Sequence, residues 1–215
     1  MSEEVNIAPM DLENCKAALQ VQFLNLFVCA SAVNGEILGA DKVNDGLEAS
    51  PVVPWEIQLS NAKAEFSFKR EMLLGFLADS FLLQVDRLLK WYSTMQKSGF
   101  IPDGSALNEL DKLKAPIRTY RNILLHIDEY LMLNKGRHKN DFIVNHGPFT
   151  FIPGSHMRVR KSSFPGLGYI ENGYLIGGRI DFFVVAELLS YCYVNSVAEG
   201  FFIDENVALE QGLGA

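Results

Sequence analysis

Seven apolar residues, Leu110, Leu113, Ile117, Tyr120, Leu124, Ile127 and Leu131, recur in alternating steps of three and four without a miss. Such steps return each side chain to one stripe of an α-helix, which repeats every ~3.6 residues. The stretch from Ser105 to Leu133 is therefore expected to be helical, with Pro116 kinking or restarting it and Lys135-Gly136 ending it. Two upstream stretches carry helical spacing as well. The first runs from about Met10 to Val33, begins at Pro9 or Asp11, and bears Leu12, Cys15, Leu19, Phe23, Leu26 and Ala30. The second runs from Ser60 or Asn61 to Lys97, bears Phe68, Met72, Phe76 or Leu77, Phe81, Val85, Leu88 and Tyr92, and stops at Ser98-Gly99. Between them, Asn34 to Pro54 reads as a linker, because Asn34-Gly35, Asp45-Gly46, Pro51 and Pro54 are turn formers.

From Asp141 to Gly178 the period falls to two. Phe142-Ile143-Val144, Phe149 to Ile152 and Met157 to Arg160 are expected as short strands, and Tyr169 to Ile176 as a hairpin turning at Asn172-Gly173. A last helix opens near Arg179 to Asp181 and carries Phe182, Val185, Leu188, Leu189, Cys192 and Tyr193 to about Val197, before a frayed tail. The expected fold is mainly α: a four-helix up-and-down-type bundle, one domain over residues 1–215, with a β-hairpin-rich insertion at about 141–178 between helices 3 and 4. An insertion of that length is seldom a plain connector.

Charge is distributed unevenly. Between Lys112 and Lys161 lie ten basic and three acidic side chains, a balance of +7 in a chain whose total is −7, together with all four histidines. An acidic protein that gathers its cations in one stretch presents them to an anion, with polyphosphate or nucleic acid the first class to consider. No apolar run reaches the roughly 18 residues of a membrane span. The acidic N-terminus lacks the layout of a signal peptide. Cys15, Cys29 and Cys192, odd in number and widely spaced, read as buried thiols of a reducing compartment. A cytoplasmic protein with no membrane partner is expected.

Within the basic stretch lies Arg121-Asn122-Ile123-Leu124-Leu125-His126. On a regular helix Asn122 and His126 share a face, extended by Arg118 and Tyr130, while Leu125, Met132 and Leu133 point outward beside it. This segment resembles the Arg-x4-6-His motif of HEPN domains, helical-bundle proteins that are usually dimeric and common among toxin–antitoxin and antiviral ribonucleases. Asn122 is the polar residue that the family prefers after the arginine. The resemblance implies a homodimer and a metal-independent endoribonuclease requiring no cofactor. His126 would be general base or acid for attack of a ribose 2′-OH on the adjacent phosphate, giving a 2′,3′-cyclic phosphate. Arg121 would stabilise charge on the phosphoryl oxygens, and Asn122 would orient the imidazole or the phosphate. Some members carry a tyrosine two residues after the histidine; here that position is Asp128, which puts any role of that tyrosine in doubt.

Other readings of the same residues stand beside this one. Arg121 is placed to pair with Asp79 or Asp86, the acids that interrupt the second helix. Arg118, Lys135, Arg137, Lys139, Arg158, Arg160 and Lys161 are candidates for tracking an RNA backbone. Phe142, Phe149, Phe151, Phe164 and Tyr169 either stack on bases or form the insertion's own small core. His138, His146 and His156 match no metal-ligand spacing, Gly166-Leu167-Gly168 and Gly177-Gly178 are turn glycines, and Ser162-Ser163 sits in no nucleophile elbow. The second function class is a non-catalytic helical module that binds RNA or a protein partner, an antitoxin included.

Overall fold

The computed structural model describes residues 11–47, 56–127, 142–147, 149–164 and 167–204. Over these the protein is mainly helical, with a small β region between its third and fourth described helices.

Helix α1 spans Leu12–Leu47 and packs against α2, Glu56–Lys97. The α1 seam of Cys15, Leu19, Phe23 and Leu26 is buried as expected, but it continues through Val33 and Ile37. The helix therefore crosses Asn34-Gly35 and Asp45-Gly46, overturning the expected linker from Asn34. A helical glycine costs about 1 kcal/mol, whereas burying Val33 and Ile37 stabilises by about 1.5–3 kcal/mol each, so the seam wins. By length and composition alone, Leu12–Ile37, 26 residues, is long and apolar enough to cross a membrane, while its Leu19, Phe23 and Leu26 are buried in the core. Neutral Gln20, Gln22 and Asn25 break its apolar run, yet no charge falls between Lys16 and Glu36.

On α2, Phe81, Val85, Leu88 and Tyr92 are buried as expected, together with Leu74, Ala78 and Met95. Of the two candidates at the earlier position, Leu77 packs on the core and Phe76 is 69% exposed; the side chains of Phe68 and Met72 lie outside the described residues. Ser105 caps a 3-10 turn, Ala106–Leu110, that runs into α3, Asp111–Leu125. Leu110, Leu113, Ile117 and Tyr120 form the expected seam, which finishes at Ile123, packed against Phe142, with Leu124 only partly buried. Leu131, Met132 and Leu133 lie outside the described residues.

The β region forms two small sheets. Strands β1, Val144–His146, and β2, Phe149–Phe151, pair antiparallel. Strands β3, His156–Phe164, β4, Gly168–Ile176, and β5, Ile180–Asp181, form the second sheet in the order β3-β4-β5. The expected hairpin at Asn172-Gly173 does not exist. Strand β4 runs straight through it, Asn172 pairing with Arg160 and Gly173 with Val159, and the chain reverses between Phe164 and Gly168. Gly173 is required for space: a Cβ there would come within 2.5 Å of the Asp181 carboxylate and of the Ile170 side chain. Asp181 meanwhile accepts from the backbone N–H groups of Tyr174 and Phe183, which ties β4 to the first turn of α4, Phe182–Ala198. The α4 start matches the sequence reading.

Side chains from distant elements close the structure. Glu199, just past α4, accepts from Ser105 Oγ at 2.9 Å and Ala106 N at 3.0 Å, placing a carboxylate on the start of the 3-10 turn. Gln20 of α1 exchanges two hydrogen bonds with the backbone of Ile203. The Tyr120 hydroxyl donates to Asp79 on α2 at 2.7 Å and accepts from Gly154 N, between β2 and β3, at 3.2 Å. Its ring lies on Gly177, whose φ is +58° and where any Cβ would collide with the aromatic carbons.

Gly177→Ala is expected to destabilise the protein by about 2–5 kcal/mol, combining left-handed strain with overpacking. Gly154→Ala, also at positive φ but with nothing within 4 Å of a new Cβ, should cost only about 1–2 kcal/mol. Urea denaturation followed by circular dichroism compares the two, and equal losses would mean that the Tyr120 contact contributes nothing.

Candidate functional site

Two matched polar stripes, five of their six residues cations, face each other across α2 and α3. On α2 they are Lys90, Thr94 and Lys97; on α3, Lys114, Arg118 and Arg121, both sets in steps of four and three. Those steps place each set on one helix face. The helices run antiparallel here, because Asp86 meets Arg121 while Gln96 accepts from Lys114 Nζ at 3.0 Å. The groove between them holds about 350 Å³ and is lined by all five cations against one acid, Asp86. From Lys114 to Arg121 it extends ~10 Å at the helical rise.

Asp86 is buried and held by two partners, Lys90 Nζ at 2.6 Å and Arg121 Nε at 3.7 Å. Lys114 pairs with Asp111 at 2.6 Å and sits 4.5 Å from the centre of the Tyr92 ring. Its hydrogen bond holds the Asp111 carboxyl below the usual range. Lys97 and Arg118 are exposed and make no ion pair among the described residues. The site is therefore cationic at its mouth and neutralised at its floor.

Of the residues singled out from the sequence, Arg118 and Arg121 come together in this groove. Arg121 turns toward α2 and takes the Asp86 pairing, one of the two structural partners weighed for it. Asp79, the other, is occupied by Tyr120. Asn122 is partly buried. His126 is exposed and is the C-cap of α3, with φ −119° and ψ 28°. The regular stripe expected to join Asn122 to His126 therefore ends at Leu125, since His126 has left helical dihedral angles. Lys135, Arg137, His138 and Lys139 lie outside the described residues, as do Asp128, Tyr130 and the side chain of Arg160. Arg158 is not on an open rim: its guanidinium carbon lies 5.1 Å from the centre of the Phe183 ring on α4, with two nitrogens shielded from solvent. Lys161 is exposed on β3 at φ 48°. Phe142 and Phe151 are buried, in keeping with an internal core, while Phe149 and Tyr169 are exposed. Sequence reading missed Lys90 and Lys97, although their seven-residue spacing on α2 carried the signal.

A second polar cluster is internal. Asp79, Tyr120 and His156 meet where α2, α3 and β3 converge, with His156 Nε2 4.0 Å from Asp79 and its ring stacked on Tyr174. Burial pushes the Asp79 carboxyl up and the His156 imidazole down, so both favour their neutral forms. Burial, reinforced by Asp79, also raises the Tyr120 phenol. His146 is buried as well, its Nε2 2.6 Å from the Gly178 carbonyl; a carbonyl only accepts, so that nitrogen carries the proton.

Comparison of the chain with protein-family models, with curated proteins and with solved structures gives no match.

The sign of the His156 contribution follows from its lowered folded value. Stability from the neutral ring is present above the ordinary value of 6.5 and is lost as pH falls through the lower folded one. Asp79 acts oppositely, its contribution being present below 3.8 and lost as pH rises through its raised value. Between about pH 7 and 5, His156→Phe should therefore lose less thermal stability than wild type, as measured by melting temperature against pH. Parallel curves would exclude a buried neutral His156. A double-mutant cycle on Arg121→Gln and Asp86→Asn should return a coupling of about 1 kcal/mol, given that both side chains are mostly shielded. A coupling near zero would mean that Lys90 alone holds Asp86.

Proposed function

We propose that this protein binds a phosphodiester polyanion, RNA before other polyanions, in the groove between α2 and α3. The observation that carries the reading is the convergence of five cations on one groove in a chain of net charge −7. Phosphate contacts of this kind are sequence-independent and release counterions. Lys97 and Arg118 take phosphates directly; Lys90 and Lys114 add positive potential while anchored to acids.

One observation favours a catalytic version. Arg121 lines the groove and His126 is exposed one residue past the end of α3, which keeps the Arg-x4-His resemblance in play. In that version α1 to α4 form an up-and-down bundle of HEPN type that pairs as a homodimer, with an antitoxin or other protein as a further partner. His126 then moves the 2′-OH proton, Arg121 stabilises phosphoryl charge and Asn122 orients the reacting groups. Arg121 must loosen its hold on Asp86 to do so.

Fluorescence-anisotropy titration of a single-stranded RNA at several salt concentrations tests binding. Lys97→Ala and Arg118→Ala should each weaken it and lower the salt slope by about 1. Salt-independent binding, or slopes unchanged in both variants, would remove RNA from this groove. Cleavage in EDTA giving cyclic-phosphate ends, lost in His126→Ala with binding retained, supports the nuclease; intact RNA with the wild-type protein freed of any partner removes it.

A further inference from the structure

A second cavity lies away from the cationic groove, enclosed by α3, β4, β5 and α4 and holding about 580 Å³. That is within the ~300–1,000 Å³ typical of small-molecule sites. Leu113 and Ile117 of α3, Ile170 of β4 and Val184 of α4 give it apolar walls. Tyr169 and Val184, which also line it, are 64% and 59% exposed, so large apolar surface is left facing water at a formed cleft.

Three charged side chains line the cleft, Glu171, Asp181 and Arg179, and they are not equally placed. The Arg179 charge acts on the buried Tyr120 phenol, and its Nη2 atom is shielded from solvent, so this cation serves the interior. Glu171 is exposed and makes no ion pair among the described residues. Lys161, opposite it on β3, does not line the cleft. Asp181 Oδ1 accepts from two backbone N–H groups, while Oδ2 lies over Gly173, where a Cβ would meet it at 2.5 Å. Residues two apart on a strand share a face, so Glu171 leaves the Gly173 face of β4 ~7 Å from that carboxylate. What the cleft offers a ligand is an apolar wall beside two acids.

We propose that this cleft binds a small cationic amphiphile, an apolar chain or ring ending in one ammonium group, with the apolar part between α3 and α4 and the ammonium beside Glu171 and Asp181. Charge complementarity sets the head group: an anion meets two carboxylates repulsively, and a neutral group keeps the apolar contacts but gains no attraction. Because Glu171 is exposed, the attraction is screened and is worth a factor of several in affinity. The proposal is independent of polyanion binding, since no residue lines both this cleft and the α2/α3 groove. The two sites select ligands of opposite sign.

The test is calorimetric titration of the full chain at neutral pH with octylamine, octanol and octanoate, which share one chain and differ in head group. Octylamine should bind about fivefold tighter than octanol, and octanoate least. Butylamine carries the same charge on a shorter chain and should bind at least tenfold more weakly than octylamine. Glu171→Lys, at an exposed strand position, should reverse the order so that octanoate binds tighter than octylamine. Val184→Trp fills the cleft from a position already exposed, so it should leave the melting temperature near wild type and weaken all three octyl ligands alike. No octylamine binding up to about 1 mM, octanol or octanoate binding as tightly as octylamine, or butylamine matching it would each overturn the proposal. So would an order unchanged in Glu171→Lys, or octyl binding indifferent to Val184→Trp.

Discussion

The hydroxyl of Tyr120 fastens the strands to the helices. It gives its proton to Asp79 on α2 and takes one from the Gly154 amide, while its ring presses on Gly177 between β4 and β5. One side chain of α3 thus fixes the distance from α2 to both small sheets. Such a network is worth having only when its members are satisfied, because an orphaned polar group in a buried setting costs about 1–3 kcal/mol. Burial therefore drives the chemistry of the cluster. Asp79 and His156 are both pushed toward neutrality, so the region behaves as a packed polar joint rather than as an ion pair.

Much of the fold was legible because periodicity is a direct image of burial. The α3 stripe from Leu110 to Tyr120 and the α2 stripe from Phe81 to Tyr92 fall on buried residues, and Asp181 caps α4 where the last helix was expected to open. The misreadings share a cause: local turn chemistry was given more weight than tertiary packing. Gly35 looked like a linker residue, yet Val33 and Ile37 on either side keep α1 helical. Asn172-Gly173 looked like a hairpin turn, yet the absence of a side chain at Gly173 is what lets Asp181 approach β4. Neither conflict is visible without knowing which distant residue arrives at the site.

The cationic groove was half legible for a similar reason. Counting charge along the chain found Arg118 and Arg121 but not Lys90 and Lys97, which sit in the acidic remainder of the sequence and reach the groove only because α2 runs antiparallel to α3. The same geometry gives Arg121 a second commitment. Its guanidinium neutralises a buried carboxylate shared with Lys90, so any anion that recruits Arg121 competes with Asp86 for it. Among the described residues Lys97 and Arg118 carry no such obligation, so in the proposed binding mode an anion's first contacts fall to them.

The cap at Asp181 bears on the order in which the chain assembles. Its hydrogen bonds reach Phe183 and Tyr174, two and seven residues away, so β4, β5 and the first turn of α4 close with little loop entropy. The Tyr120 contacts span 34 and 41 residues, and the clamp from Gln20 to Ile203 spans 183. Loop closure alone therefore ranks the events: strand-helix corner first, docking of the strands on α3 next, and the α1 clamp last. An emerging chain carries Gln20 from the beginning but cannot complete that clamp until Ile203 has been made.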